Sequence, residues 1–240
     1  MSSHRRQRED LREIAKQLFT NAAASSSTRS PDFRAHTSQS DLVALWDCGD
    51  PADAAHLATA ICATPWGGRR LRAVFADTCF APMMPRLCLP DGDAEERYAH
   101  LRTLEKSSPH LLLIHQARDS RLARVIALCA SRHLLLLGAP PASPTGMSGL
   151  IRCLEEGSLD EPIGALDAQT RPDPGPAAFP SSAFTQRCER LGRWRPGETL
   201  PLSLEEFLAR SVPPARPLSW AWTMIDETSF QEACGATSQG

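Results

Sequence analysis

Apolar residues fall in two alternating patterns from position 41 onward, and that alternation organises the chain. Leu42 to Trp46 is a short apolar run, and so are Leu71 to Ala76, Leu111 to Ile114 and His133 to Leu137. Runs of this length without polar interruption read as strands buried on both faces. Between them the spacing changes to a helical one. Ala52 to Cys62 places Ala55, Leu57, Ala58 and Ile61 on a buried side, and the turn Pro65-Trp66-Gly67-Gly68 ends it. Asp93 to Ser107 is a charged helix with Tyr98, Leu101 and Leu104 inward, stopped by Pro109. Ser120 to Ser131 carries an inner stripe of Leu122, Val125, Ile126 and Cys129. Thr145 to Glu156 is a helix closed by Gly157. Strands and helices in alternation predict an α/β fold, with a mainly parallel sheet covered by helices on both faces.

Outside this block the signals are weaker. Residues 5–22 predict an N-terminal helix whose narrow apolar stripe is Leu11, Ile14, Leu18 and Phe19. The stretch from Ala23 to Ser40 is rich in Ser, Thr and Ala and reads as a linker. Such a helix either packs back on its own domain or docks into a groove on a partner. Downstream, 167–181 is proline-rich and reads as a loop, and Ala183 to Leu191 as a short helix. Ser203-Leu204-Glu205-Glu206 has the form of a capping box opening a helix through Arg210, with Pro213, Pro214 and Pro217 beyond it. Trp220 and Trp222 alternate with smaller residues, as in an edge strand. The expected organisation is a helix and linker over 1–40, an α/β domain over 41–232 and a polar tail over 233–240.

Composition narrows the function. The 240 residues carry 26 basic and 28 acidic side chains, a formal net charge of −2, which argues against a nucleic-acid binder that works by bulk charge. No apolar run approaches the roughly 20 residues a membrane-crossing helix requires. The charged N-terminus, Arg5 to Glu13, lacks the apolar core of an export signal, and its three acids speak against an organellar transit peptide; a cytoplasmic protein is expected. The eight cysteines form no C-x-x-C pair and the seven histidines are scattered, so reduced thiols and no metal site or cofactor are expected. Gly146-Met147-Ser148-Gly149 lacks the spacing of a nucleophile elbow, because Leu150 stands where the second glycine belongs. Cys79 and Cys88, near Arg86, read as structural rather than reactive thiols.

The first strand-to-helix junction reads Trp46-Asp47-Cys48-Gly49-Asp50-Pro51-Ala52-Asp53-Ala54, a place where phosphate-binding loops occur. Downstream, Gly68 leads through Val74 to Asp77, which lies 24 residues after Asp53. The arrangement over about residues 41–156 resembles the MinD/ParA class of P-loop ATPases, whose glycine-rich loop carries a lysine and a threonine. The runs Leu111 to Ile114 and His133 to Leu137, followed by Ala139-Pro140-Pro141, look like the later strands of that class. The resemblance is degenerate. Asp53 stands at the lysine position, Ala54 at the magnesium-binding hydroxyl, and His115 where the class has an aspartate. Neither of the two lysines, Lys16 and Lys106, lies in a glycine-rich loop. Two carboxylates 4 Å apart repel by roughly 4 kcal/mol at an effective dielectric of 20, so Asp50 and Asp53 oppose a polyphosphate.

The resemblance implies a pseudo-ATPase: a non-catalytic regulatory or scaffolding subunit that keeps a homo- or heterodimer or partner surface and works in spatial organisation or envelope, polysaccharide, secretion or flagellar assembly. Two other readings stay open. One is a small α/β enzyme with a site at Asp77, His115 and Asp119, residues expected at the carboxyl ends of strands, where ligands bind in open α/β sheets. Against it, Asp77 also reads as a turn-forming carboxylate, and Arg118 and Arg121 suggest a solvated ion-pair network around Asp119. The other is a RecA-like pseudo-subunit of a repair complex, distinguished by strand order.

Overall fold

The computed structural model describes residues 41–108, 110–118, 120–138, 144–157, 161–168 and 187–226. The expected N-terminal helix with Leu11, Ile14, Leu18 and Phe19, the linker, residue Asp119, most of the proline-rich loop and the tail lie outside the described residues. So does the region around Pro140 and Pro141.

Six strands form one sheet: β1 (Asp41–Asp47), β2 (Arg72–Phe75), β3 (His110–Gln116), β4 (Arg132–Leu137), β5 (Ile163–Ala168) and β6 (Cys188–Trp194). Their spatial order is β2-β3-β1-β4-β5-β6, and every neighbouring pair is parallel. The central strand pairs with β3 from Asp41↔His110 to Asp47↔Gln116 and with β4 from Val43↔Arg132 to Asp47↔Leu136. All seven residues of β1 are buried.

The connecting helices are α1 (Pro51–Ala63), α2 (Ala94–Ser107), α3 (Arg121–Cys129) and α4 (Pro144–Gly157), followed by α5 (Leu202–Ala209) and α6 (218–226). The direction of each crossover sets its face. The step from β1 to β2 runs one way across the sheet, whereas the steps from β2 through β5 run the other way, and a constant crossover hand then puts α1 opposite α2, α3 and α4. The two cores follow this division. Leu42, Ala44 and Trp46 pack with Leu101, Leu122, Val125, Ile126 and Leu154, and with Leu218 and Ala221 of α6. Val43 and Leu45, pointing the other way, pack with Ala54, Leu57, Ala58 and Ile61 of α1 and with Leu204, Phe207 and Leu208 of α5. Each fully buried leucine contributes roughly 1.5–3 kcal/mol, so the double-sided strands of unbroken Leu, Ile and Val are the main source of stability.

Local chemistry fixes the ends of the helices. Asp93 caps α2 by accepting from Glu95 N and Glu96 N at 2.9 Å each, and Glu96 Oε2 accepts from Asp93 N at 3.3 Å, a full capping box. Ser120 caps α3 by accepting from Ala123 N at 3.0 Å. The Pro65–Gly68 turn is closed by Trp66 N to Arg69 O at 2.7 Å and Arg69 N to Trp66 O at 2.9 Å.

Four expectations are corrected in the last third of the chain. The segment 163–168, assigned no element from sequence, is β5. The stretch read as a helix through Leu191 ends instead in edge strand β6, with only Leu191 and Trp194 buried and polar residues between them. Trp220 and Trp222 lie on α6 rather than an edge strand; two residues apart on a helix, they meet different partners, Trp222 stacking on Tyr98 and Trp220 lying under Arg216. Ser203 is no capping-box residue. Its hydroxyl donates to Leu191 O at 2.5 Å, and α5 starts from Pro201 without a side-chain cap.

Candidate functional site

The loop after β1 has three residues, Cys48 to Asp50, before α1 begins at Pro51. It is short because its own groups close it. Asp47 Oδ1 accepts from Gly49 N at 3.0 Å, and Asp50 Oδ1 caps α1 by accepting from Ala52 N at 2.9 Å. Pro51 supplies no N–H at the first helical position. Asp53 is buried in the first turn, and Ala54 packs into the core. The helix N-terminus, an anion site in principle, thus already carries the chain's own carboxylates. Asp47 is 2% exposed, and its Oδ2 has no hydrogen-bond partner. Burial raises its pKa to about 6, against the lowering Gly49 N–H, and the charges of Asp50, Asp53 and Asp77 raise it further.

Glycine is required where the β1 and β4 loops meet. A Cβ on Gly49 would lie 2.6 Å from Gly138 Cα, and one on Gly138 would lie 2.9 Å from Gly49 Cα. The two backbones touch, so the cleft between the ends of β1 and β4 is filled by main chain. Cys48 reinforces the closure by donating its N–H to Leu136 O at 2.9 Å.

On the other side of β1 the structure brings two of the expected residues together. Asp77 follows β2 and is 2% exposed; His115 is the penultimate residue of β3 and is 1% exposed. Asp77 Oδ2 accepts from Gln116 N at 2.7 Å and lies 3.3 Å from His115 Nδ1. The Arg118 guanidinium pairs with Asp77 Oδ1. Asp77 opens a turn through its carbonyl, which accepts from Phe80 N at 3.3 Å, but its carboxylate is used elsewhere. Its side chain makes no cap to the 3₁₀ segment Thr78–Phe80 and instead joins the ends of β2 and β3. The other side of the ring faces Ser120, whose Oγ is 3.4 Å from His115 Nε2. His115 Nδ1 also lies 2.5 Å from Gln116 O. Two acceptors around Nδ1 place the proton there and leave Nε2 with a free lone pair. Burial lowers the His115 pKa, against the raising charge of Asp77, so the ring is neutral at pH 7.

The two arginines expected in one solvated ion-pair network part company, and Arg121 alone makes exposed pairs of that kind. Arg118 reaches the buried Asp77, whereas Arg121 pairs with Glu95 and Asp226 and lies over Trp222, 4.0 Å from the ring centre. Cys79, though close to Arg118, has its thiol pushed up to about 12 by burial and by Asp77 and Asp47, which makes it a poor nucleophile. Among the described residues no group of three His, Cys, Asp or Glu side chains is placed to hold a metal ion.

Ser120 was legible only as the start of a helix. Its proximity to His115 depends on the chain turning back after β3, which no local pattern carries. Two buried polar residues also went unread. Trp46 Nε1 donates to His133 Nδ1 at 3.2 Å inside the core. Arg132, 0% exposed, donates to Phe207 O and Leu208 O at 2.7 Å each and to Arg210 O at 3.1 Å, closing the C-terminal end of α5, with Asp41 beside it.

No helix among the described residues is long and apolar enough to cross a membrane. Comparison of the chain with protein-family models, with curated proteins and with solved structures finds no match.

Proposed function

We propose that this protein is a regulatory or scaffolding subunit with a degenerate MinD/ParA-like sheet, which binds protein partners in a larger assembly and does not hydrolyse nucleotide. The observation that carries the reading is the first strand-to-helix loop. Three residues are too few to wrap a phosphate chain, and Asp47, Asp50 and Asp53 occupy the electrostatic position a phosphate requires. A central first strand with its loop at a change of crossover direction supports descent from a ligand-binding α/β architecture. The partner contact is assigned to the N-terminal stripe Leu11, Ile14, Leu18 and Phe19, on sequence grounds.

The test is retention of partners by the immobilised full chain. Leu11→Asp with Leu18→Asp is expected to abolish retention and to leave the melting temperature of the chain within about 1 °C. Retention unchanged by the double substitution, or a melting temperature lowered by many degrees, contradicts the assignment.

The contact between Asp77 and His115 favours a second reading, a small-substrate site at the carboxyl ends of β2 and β3. It needs no nucleotide and is compatible with a partner-binding role.

A further inference from the structure

We infer that Ser120 is a nucleophile activated by His115, with Asp77 as the positioning residue, and that this site acts on small carboxylic esters. The inference rests on the second reading above and adds the reacting atom to it. The three side chains form one line: Asp77 Oδ2 to His115 Nδ1 at 3.3 Å, then His115 Nε2 to Ser120 Oγ at 3.4 Å. Gln116 O, 2.5 Å from Nδ1, fixes the tautomer that a general base needs, with the acceptor nitrogen toward the hydroxyl. The ring is held neutral by burial, and the Asp77 carboxylate beside Nδ1 opposes that effect in favour of the imidazolium that forms during reaction.

The position of Ser120 supplies the rest. It is half-buried, at the mouth of the cluster, whereas His115 and Asp77 behind it are buried. It is also the cap of α3, a nine-residue helix. Its hydroxyl already takes the Ala123 N–H, and the N–H groups of Arg121 and Leu122 have no partner within the helix. These are the donors next to the nucleophile, suited to stabilise a developing oxyanion. Arg118, half exposed and bound to the other Asp77 oxygen, holds the carboxylate in place.

The reaction balances without a cofactor. Ser120 Oγ attacks the ester carbonyl carbon and gives its proton to His115 Nε2. The bond from the carbonyl carbon to the alkoxy oxygen breaks, and the leaving alcohol takes that proton. Water then adds to the acyl-serine, again giving a proton to Nε2. The carbon–Oγ bond breaks, Oγ recovers the proton, and a carboxylic acid is released.

The experiment treats the purified full chain with diisopropyl fluorophosphate and locates the adduct by peptide mass spectrometry, with p-nitrophenyl acetate hydrolysis followed in parallel. One adduct on Ser120 is expected. Ser120→Ala is expected to lose both adduct and hydrolysis, and His115→Gln to slow labelling at least about 100-fold, the usual share of a general base. Asp77→Asn is expected to shift the proton resonance of His115 Nδ1 upfield, beyond what the remaining Gln116 carbonyl contact accounts for. Circular dichroism confirms that each variant is folded, and Ser120→Ala, which leaves Asp77 and His115 in place, serves if His115→Gln is not. An intact chain with Ser120 unlabelled, or labelled as fast in a folded His115→Gln, overturns the assignment. If Asp77→Asn nevertheless shifts the Nδ1 resonance, the pairing of Asp77 with His115 stands and only the nucleophile is wrong. If Asp77→Asn leaves the resonance unmoved, the second reading falls with it.

Discussion

Arg132 is a buried charge on which the packing of α5 depends. Its guanidinium is fully buried and satisfies three carbonyl groups at the end of α5 while facing Asp41. Removing it leaves those buried acceptors unpaired, while Asp41 keeps the Ser131 hydroxyl and the Arg69 guanidinium, a defect that typically costs about 1–3 kcal/mol. Arg132→Ala is therefore expected to lower the urea midpoint by that amount of stability; a loss below about 1 kcal/mol would mean that water replaces the side chain. Gly49 and Gly138 make a second test at this scale. A methyl group at either has no room, so Gly138→Ala is expected to cost about 1–3 kcal/mol in the same unfolding assay. Sequence disclosed part of this scale. Asp77 and His115 could be picked out because polar residues at the ends of apolar runs are conspicuous. Ser120, Arg132 and His133 could not, because their partners lie across the fold and each sits in a pattern that local spacing already explained.

Elements were legible where one physical signal dominated. The apolar runs of β1, β3 and β4 and the Asp93 capping box of α2 carry their structure locally, and the described elements follow them closely. The failures share a cause. β5 mixes Gly164 and Asp167 into its run, and β6 is an edge strand with mostly exposed positions, so neither looks like a buried strand. Gly164 is explained only by its neighbours: a Cβ there would lie 2.5 Å from Leu191 Cδ1. Helix α6 is held by contacts rather than by propensity. Trp222 stacks on Tyr98 with ring centres 4.1 Å apart, Arg121 covers its other side, and Leu218 N donates to Glu105 Oε1 at 3.1 Å. Trp222→Ala is expected to raise amide exchange across 218–226 at least tenfold, while the protection of β1 and β3 stays unchanged. Uniform loss of protection would show instead that α6 is part of the global unfolding unit.

For the whole molecule the buried titratable groups set the pH response. Burial holds His133 at about 3 in the fold, below its ordinary 6.5, so between these values the unfolded chain takes up a proton that the folded chain refuses. Stability then falls as pH drops through that window, and the lowered pKa of His115 acts in the same direction. Asp47, raised from 3.8 to about 6, works the opposite way between pH 3.8 and 6, since there the folded state holds the extra proton. Two histidines outweigh one carboxylate. Unfolding free energy is expected to decrease on acidification from pH 6.5, with His133→Gln making the curve flatter; stability that rises toward pH 4 would contradict the neutral buried histidines.

The central claim also belongs to the whole molecule: a sheet with the order β2-β3-β1-β4-β5-β6 whose first loop has been filled by its own acids. The most direct measurement is calorimetric titration of the purified full chain with ATP and with GTP in the presence of magnesium. The account predicts no detectable binding up to millimolar nucleotide. Micromolar binding of either nucleotide would contradict it, because Asp47, Asp50 and Asp53 would then have to yield the position they hold at the start of α1.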